Sequence, residues 1–186
     1  MVNEKLIKDF IIAGLDEDIK DGDHTSLACI DPNSRNRAKL LVKDVGVIAG
    51  VELAKTILEH VDPDVQFDLK IEDGKDVDFG DIVFEVDINS QALLKAERLV
   101  LNSMQRMSGI ATLSSRFAIE VEDLQVKVLD TRKTTPLIRF LEKWAVEIGG
   151  CTNYRNGLYD WIMIKDNHID ACGGIKNAIE SVNAYL

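Results

Sequence analysis

The sequence predicts an α/β fold in which an N-terminal α+β domain with a long helix, residues 1–117, precedes the start of an α/β barrel, residues 118–186. Two observations support this prediction. In the first part, apolar residues recur at spacings of three and four between short β-branched runs. In the second part the order becomes strand, helix, strand, helix, the repeating unit of parallel α/β folds. Because such a barrel takes about 250 residues, we expect the sequence to be truncated before the barrel closes.

Bulk composition excludes several classes of protein. The chain has 186 residues, 46% of them apolar, which suffices for a substantial core. No apolar run approaches the roughly 20 residues of a membrane span, and the N-terminus lacks a secretory leader, so we expect a cytoplasmic protein without a membrane partner. A net charge of −10 argues against a nucleic-acid partner. Cys29, Cys151 and Cys172 are widely separated, which favours free thiols over a zinc site or disulfides.

The first elements alternate between helix and strand. An amphipathic helix is predicted over 3–15, because its apolar residues share one face. A loop is expected at 22–25, where Gly and Asp break the pattern. The run at 38–49 predicts one strand, and Gly50 precedes a predicted helix over 51–61.

A long helix is the main feature of the middle of the chain. Residues 65–88 predict short strands separated by Asp/Gly turns. The helix begins near Ser90, a residue type that commonly caps helix N-termini. Apolar residues at helical spacing carry it to about Phe117, with a kink expected near Ser108 and Gly109.

The last part predicts two strand–helix units. Short apolar runs at 126–129 and 161–164 predict buried strands, and helices are expected over 137–148 and about 175–185. Gly149 and its neighbour Gly150 end the first of these helices. Polar residues follow each strand at its carboxyl end, which is the active-site side of α/β folds.

The richest polar segment is Asp-Thr-Arg-Lys-Thr-Thr-Pro at 130–136. Adjacent Arg132 and Lys133 combine a planar fork, which suits carboxylates, with a compact point charge. The hydroxyl of Thr131 and those of the later threonines can add hydrogen bonds. A solvated loop with capping threonines explains the same residues, and spacing alone leaves both interpretations open.

A second polar cluster follows the strand predicted at 161–164. Lys165 lies at its end and Arg155 lies in the preceding loop, so four cations would suit a di-acid or a phosphorylated ligand. Segment 126–166 holds seven Lys/Arg and five Asp/Glu in an otherwise acidic chain, although chance fluctuation also explains this. His168 is best interpreted as a hydrogen-bonded structural residue. The simplest interpretation of Arg98, which follows Glu97 on the long helix, is an exposed helical charge.

Several segments together resemble the quinolinate phosphoribosyltransferase family (nicotinate-nucleotide pyrophosphorylase, carboxylating). They are Gly22-Asp-His-Thr, Glu97-Arg-Leu-Val-Leu-Asn, Gln105-Arg-Met-Ser-Gly-Ile-Ala, Asp130-Thr-Arg-Lys-Thr-Thr-Pro, Arg139-Phe-Leu-Glu-Lys-Trp-Ala-Val, Gly149-Gly, Asn153-Tyr-Arg-Asn-Gly-Leu and Ile164-Lys-Asp-Asn-His-Ile. The resemblance covers essentially the whole chain in order.

The resemblance implies a reaction and a set of site residues. The reaction condenses quinolinate with phosphoribosyl pyrophosphate, with Mg²⁺, and gives nicotinate mononucleotide, CO₂ and pyrophosphate in NAD biosynthesis. The residues implied to bind substrate are Arg98, Thr131, Arg132, Lys133, Tyr154, Arg155 and Lys165. Of these, Lys133 and Lys165 are implied to be catalytic. Arg98 is implied to reach a neighbouring subunit's site, so a homodimer or higher homo-oligomer is expected.

Three positions depart from the family pattern. Tyr154 replaces a usual His, Leu137 a usual Gly after Thr-Thr-Pro, and Cys151 a usual third Gly. The family's acidic metal and ribose residues lie on later strands, so we expect no metal ligand in this chain. Two alternatives stay open: a paralogous base-handling phosphoribosyltransferase, and an inactive fragment that only binds ligand or dimerises. We expect this chain alone not to catalyse the reaction, because two strand–helix units cannot close a barrel.

Overall fold

A computed structural model describes residues 3–186 of the chain. The chain divides into two compact units, the first ending at Tyr154 and the second running from Arg155 to Leu186. Helices and strands are mixed, so the predicted α/β class is confirmed. The domain boundary that the sequence predicts at residue 117 falls inside the first unit and stays a prediction.

Two helices begin the first unit. Helix α1, Glu4–Ile19, starts where the side chain of Asn3 accepts the backbone N–H of Lys5, and it confirms the predicted helix with one more turn. Helix α2, His24–Cys29, was not expected, and the loop prediction at 22–25 is wrong in its second half. The reason is Asp23, whose carboxylate accepts the N–H of Ser26 at 3.0 Å and caps the new helix.

Five strands form two antiparallel sheets. The strands are β1 (Arg35–Leu41), β2 (Gly46–Val47), β3 (Gln66–Leu69), β4 (Asp76–Val77) and β5 (Ile82–Asn89). One sheet has the order β1-β5-β3, and β2 pairs with β4 in the other. The single strand predicted at 38–49 is therefore wrong, because residues 42–45 leave the first sheet before β2 begins. The short strands predicted over 65–88 are confirmed as β3, β4 and β5.

Helix α4, Ser90–Ile119, is a 30-residue helix of the first unit. It packs against α3, Val51–Val61, which confirms the helix predicted there. Its cap is Asn89, whose side chain accepts the N–H of Ala92 at 3.0 Å, so the prediction of Ser90 as cap is wrong by one residue. The helix continues without a break past Ser108, where a kink was expected.

Helix α5, Arg139–Ile148, packs on α4 and confirms the helix predicted at 137–148. Close approach at its end requires glycine. A Cβ on Gly149 would lie 2.4 Å from the carbonyl oxygen of Ala111 and 2.6 Å from Ser114 Cβ. Gly150 has a φ of 86°, a left-handed conformation that ends the helix.

The two strands predicted after residue 118 are absent among residues 3–186. In the first unit only a single parallel bridge joins Leu129 to Thr152, where Thr152 N–H donates to the Val128 carbonyl at 2.9 Å. Residues 161–164 of the second unit have no strand conformation. A strand needs a hydrogen-bonded neighbour along its length. Neither run has one here beyond that bridge.

The second unit is mainly helical. Helix α6, Asp166–Cys172, was not predicted, whereas α7, Ile175–Tyr185, confirms the last predicted helix. Gly173, with a φ of 73°, ends α6. None of the described helices combines the length and apolar character that crossing a membrane requires.

Candidate functional site

Residues 130–136 form an irregular segment that we call the cationic loop. It follows the bridge at Leu129 and leads into α5. Within it, the backbone N–H of Lys133 donates to the Thr131 hydroxyl at 3.1 Å, which folds the chain back locally. Lys133 is exposed and Arg132 is half-buried. The loop therefore presents two adjacent cations on the first unit.

A buried ion pair holds the start of the cationic loop. Lys143 Nζ lies 2.6 Å from Asp130 Oδ1, and the two side chains are only 3% and 8% exposed. The same Oδ1 accepts the backbone N–H of Tyr154 at 2.8 Å. Lys143 Nζ also donates to the Tyr154 carbonyl at 3.3 Å. One lysine of α5 thus fixes both the first residue of the loop and residue 154.

A buried carboxylate holds the end of the cationic loop. Glu142 accepts the backbone N–H of Thr135 at 3.0 Å and the Thr135 hydroxyl at 2.8 Å. Arg106 of α4 lies 2.6 Å from the same carboxylate. Burial raises the pKa of Glu142, but the hydrogen bonds from Arg106 and Thr135 outweigh burial and hold that pKa below its usual value. Glu142 is therefore a charged anchor at ordinary pH.

Arg132 and Lys133 have no such partners. Among residues 3–186 neither cation forms an ion pair with a carboxylate. Arg132 Nε is buried without a hydrogen-bond partner, and so are the acceptors Asp130 Oδ2 and Asn153 Oδ1. A buried donor left without a partner costs about 1–3 kcal/mol. A ligand that offers an anionic acceptor to Arg132 would remove that cost.

The remaining predicted site residues are placed as follows. Tyr154 is half-buried, and its backbone is held by the Asp130–Lys143 pair. Arg98 is exposed on α4 and has no ion pair with a carboxylate in the described part of the chain. Thr131, Arg132 and Lys133 thus lie in the cationic loop, and Tyr154 is joined through its backbone to Asp130 at the start of that loop.

The second unit contains the other two predicted residues. Arg155 is buried, and Lys165 is exposed immediately before α6. The N–H of Lys165 donates to His168 Nδ1 at 2.9 Å, which agrees with the structural interpretation of His168. Burial raises the pKa of Asp160, but hydrogen bonds from the backbone of Asn156 and Gly157, with the charge of Arg155, lower it overall. That carboxylate therefore organises the loop after Arg155.

Two departures from the family pattern have different local consequences. Leu137 has a φ of 70° and is 96% exposed, so a leucine occupies a left-handed conformation that glycine adopts without strain. Cys151 has no such strain. Its thiol donates to the Ser114 carbonyl at 3.2 Å, and burial raises the pKa of the thiol. All three cysteines are free thiols, as predicted.

Side chains that could bind a divalent metal are dispersed within residues 3–186. In the described part of the chain, no group of three or more His, Cys, Asp or Glu side chains converges as metal ligands would. The carboxylates nearest the cationic loop, Asp130 and Glu142, are each occupied by a cation of the chain.

Sequence reasoning missed the network that supports the loop. Glu142, Lys143 and Arg106 were not among the candidate site residues. A signal was available: Glu142 and Lys143 lie between Leu141 and Ala145 on a helix that packs against the core, and all four residues are buried. Charged residues at buried helical positions generally have specific partners.

Comparisons with known proteins agree on one family. A family profile described as quinolinate phosphoribosyl transferase, N-terminal domain, matches residues 23–108. The profile of the C-terminal domain of the same transferase matches residues 110–186. Together the two profiles cover most of the chain in the order expected of that family.

This chain matches only part of the length of the individual proteins that resemble it. The chloroplastic nicotinate-nucleotide pyrophosphorylase (carboxylating) of Arabidopsis thaliana is 47% identical over 89% of this chain and 47% of that protein. Quinolinate phosphoribosyltransferase (decarboxylating) 1b of Nicotiana tabacum is 44% identical over 97% of this chain and 51% of that protein. The crystal structure of NadC from Streptococcus pyogenes matches with a TM-score of 0.93 and 37% identity, covering 100% of this chain and 66% of that one. The chain spans about half the length of the curated relatives it matches.

Proposed function

The chain belongs to the quinolinate phosphoribosyltransferase family, and we propose that it forms part of an enzyme that transfers phosphoribosyl from phosphoribosyl pyrophosphate to quinolinate. The proposed products are nicotinate mononucleotide, CO₂ and pyrophosphate, which makes the reaction a step of NAD biosynthesis. The name of the tobacco relative, a decarboxylating quinolinate phosphoribosyltransferase, supports this reaction. Because the chain spans about half of that relative, the activity is proposed for the complete protein.

The observation that carries the proposal is the unpaired state of Arg132 and Lys133. Quinolinate presents two carboxylates on adjacent ring carbons. A guanidinium fork and an ammonium on adjacent residues match such a pair in charge. The unsatisfied Arg132 Nε supports the same assignment, because a ligand carboxylate would supply its missing acceptor.

Other residues are assigned by family resemblance. Thr131 and Tyr154 would add hydrogen bonds to the substrate, and Arg155 and Lys165 of the second unit would contribute further positive charge. Lys133 and Lys165 are the proposed catalytic residues. Tyr154 can donate a hydrogen bond where the family usually has a His, but it brings no charge. We therefore expect quinolinate binding to rely on the arginines and lysines.

The chemistry explains why cations suit this substrate. In the proposed transfer, the ring nitrogen of quinolinate bonds to C1 of the ribose as pyrophosphate leaves with the electron pair of the broken C–O bond. The carboxylate beside the nitrogen then leaves as CO₂, and the electron pair left on the ring carbon takes a proton. Cations that hold both carboxylates orient the nitrogen and stabilise negative charge on the ring.

Mg²⁺ remains a proposal that rests on the resemblance alone. The described residues offer no convergent set of carboxylates, so no ligand in this chain is assigned to the ion and no step is derived through it. If the complete protein uses Mg²⁺, its ligands would come from residues beyond those of this chain or from the substrates.

We also propose that the protein acts as a homodimer or higher homo-oligomer. Arg98 is exposed on α4 without a carboxylate partner in the described part of the chain. A groove of about 540 Å³ beside the same helix is lined by apolar side chains that include Val45, Leu101 and Leu113. A second copy that packs along α4 would contact Arg98, which the family resemblance assigns to the neighbouring subunit's site. Light scattering on the purified chain would test this, and a monomer at working concentration would contradict it.

A cytoplasmic location and the absence of a nucleic-acid partner are retained as proposals. Three free cysteines suit a reducing compartment. The net charge of −10 opposes binding to a polyanion. The Arabidopsis relative is named as chloroplastic, so related proteins also work inside organelles.

Calorimetric titration with quinolinate tests the proposed pocket. Arg132→Ala should weaken binding about tenfold or more, because a charged hydrogen bond contributes about 1.5–3 kcal/mol. Arg37→Ala is the matched control, since Arg37 is an arginine on β1 with a 91% exposed side chain. Equal affinities for both variants would contradict the assignment. Nicotinate, with one carboxylate, should bind more weakly than quinolinate.

A turnover assay separates the enzyme from its alternatives. The complete protein and the purified chain are each incubated with quinolinate, phosphoribosyl pyrophosphate and Mg²⁺, and nicotinate mononucleotide is measured by chromatography. We expect product from the complete protein and none from the chain alone. Binding without product from the complete protein as well would favour the interpretation of a protein that only binds ligand or dimerises. Faster product formation from another base would favour a paralogous base-handling transferase.

A further inference from the structure

Consecutive residues of α5 hold opposite ends of the cationic loop. Lys143 bonds to Asp130 at the first residue of the loop, and Glu142 bonds to Thr135 near its last residue. Both α5 side chains are buried, at 6% exposed for Glu142 and 3% for Lys143. One turn of one helix therefore sets the separation of the two ends.

The acidic groups at both ends are already neutralised. Asp130 is paired with Lys143 at 2.6 Å, and Glu142 is paired with Arg106 at 2.6 Å. A free carboxylate at either position would compete with a ligand for Arg132 and Lys133. Because each carboxylate has its own cation, the two loop cations keep their charge for an external anion.

We propose that Arg106, Glu142 and Lys143, here called the loop clamp, are positioning residues that hold Arg132 and Lys133 in the geometry that binds a dicarboxylate. This inference rests on the proposed function, because it assigns a role to residues that act on the same site. The clamp residues bond to the loop at Asp130 and Thr135. They restrict the conformations of the loop before the ligand binds. Binding therefore loses less conformational entropy, and the affinity for the ligand is higher.

The first unit offers a matched control for the clamp. Asp62 is a buried carboxylate that accepts the backbone N–H groups of Asn89 at 2.8 Å and Asp64 at 3.1 Å. It also pairs with Arg35 at 3.1 Å. Asp62 and Glu142 thus have the same kinds of partner, a backbone donor and an arginine. The partners of Asp62, however, belong to the sheet and its connections.

The experiment compares Glu142→Gln with Asp62→Asn in the full chain. Each change keeps size and removes one buried negative charge. Quinolinate is titrated by calorimetry, which gives the dissociation constant and the binding stoichiometry separately. Partial unfolding lowers the stoichiometry, whereas misplacement of folded loop cations raises the dissociation constant. We expect the dissociation constant to rise about tenfold for Glu142→Gln, by the order of one charged hydrogen bond, and to stay unchanged for Asp62→Asn.

A second measurement needs no ligand. Trypsin cleaves after arginine and lysine, so cleavage at Arg132 and Lys133 reports how often the native loop opens. We expect faster cleavage at these two sites in Glu142→Gln than in the wild-type chain, and an unchanged rate there in Asp62→Asn. Arg106→Lys, which keeps the charge but loses the fork, should give intermediate values in both measurements.

The two measurements separate the two proposals. If the wild-type chain does not bind quinolinate, the proposed quinolinate pocket at Arg132 and Lys133 fails, and the cleavage rates alone decide whether the clamp orders the loop. If quinolinate binds but Glu142→Gln leaves both the dissociation constant and the cleavage rates unchanged, the clamp is overturned. Equal weakening of binding by Asp62→Asn would also overturn it, because the effect would then follow from general stability.

Discussion

Arg35 of the main sheet is paired with two carboxylates, whereas neither cation of the cationic loop forms an ion pair within residues 3–186. Arg35 lies 2.8 Å from Asp87 and 3.1 Å from Asp62. Arg132 of the loop has a buried Nε without any partner. The two arginines are alike in chemistry and differ in what surrounds them. A cation paired within the chain stabilises the fold, and a cation held in place but left unpaired is available to a ligand.

Residues outside the loop provide the cations that pair with the carboxylates of the loop region. Lys143 and Arg106 neutralise Asp130 and Glu142, so the loop region is not short of carboxylates. It is the assignment of partners that keeps Arg132 and Lys133 free. The comparison therefore predicts that changes at paired cations reduce stability, whereas changes at unpaired cations reduce binding.

The largest effect is expected from Lys143→Met. The substitution leaves Asp130 buried and charged without its partner, and such a loss costs about 3–5 kcal/mol in the free energy of unfolding. Urea denaturation followed by circular dichroism measures it. The double variant Asp130→Asn/Lys143→Met is the control, and it should recover part of the loss because the unpaired charge is gone. A loss below about 1 kcal/mol would place this pair with ordinary surface ion pairs.

A pair of arginine variants tests the comparison directly. Arg35→Met should lower the free energy of unfolding by roughly 1–2 kcal/mol, because it removes charged hydrogen bonds from a partly exposed side chain. Arg132→Met should leave that free energy unchanged or slightly higher, because it removes a buried donor without a partner. Quinolinate binding should show the reverse order, weakened in Arg132→Met and unchanged in Arg35→Met. A stability loss in Arg132→Met equal to that in Arg35→Met would break the distinction.

The pH dependence of stability should follow the paired carboxylates. The pKa of Glu142 lies below its usual value, since its hydrogen bonds outweigh burial, and the same holds for the pKa of Asp62. A lowered pKa in the folded state means that the contribution is complete above the unfolded pKa and is lost as the pH falls through the folded pKa.

Thermal unfolding between pH 7 and pH 2.5 measures this dependence. The melting temperatures of the wild-type chain and of Glu142→Gln should differ at neutral pH and converge as the pH falls below about 4. Asp62→Asn should converge with the wild-type chain in the same manner. Arg132→Met is the control and should follow the wild-type profile throughout. A Glu142→Gln difference that persists undiminished at pH 2.5 would contradict the ionised anchor.

The smallest effect is a gain in stability from Leu137→Gly. Leu137 has a φ of 70°, and glycine relieves about 1 kcal/mol of left-handed strain, less its own loss of chain entropy. Lys20→Gly is the matched variant, since Lys20 also has a positive φ, 46°, and it lies at the end of α1, away from the loop sequence. Both should melt at slightly higher temperature. Only Leu137→Gly should also weaken quinolinate binding, because a glycine directly after the cationic loop makes the loop more flexible.

The sequence predicts helices better than strands in this chain, for a physical reason. Helices α3, α5 and α7 carry their own hydrogen bonds, so apolar periodicity locates each of them nearly to the residue. A strand depends on a partner that may be distant in sequence. The runs at 126–129 and 161–164 have the right composition, but within residues 3–186 only Leu129 finds a parallel partner.

Caps and side-chain networks were the least predictable features. The start of α2 depends on the conformation of Asp23, and the start of α4 on Asn89 rather than the adjacent Ser90. Both alternatives are good caps, and spacing cannot choose between them. At the site, the motif identified Arg132 and Lys133. The position of Glu142 on the core-facing side of α5 indicated a specific partner, but its pairing with Arg106 and Thr135 could not be predicted, because it depends on how α4 and α5 pack.

The close approach at Gly149 has a consequence for how this sequence can vary by mutation. Every amino acid that a single base change can reach from a glycine codon carries a Cβ. At this position a Cβ would lie 2.4 Å from the Ala111 carbonyl oxygen, well inside van der Waals contact. No single-base substitution of Gly149 by another amino acid therefore fits at this position unless α4 shifts away. Since α4 also carries Arg98 and Arg106, any lineage that changes this glycine has to readjust the helix that supplies the site.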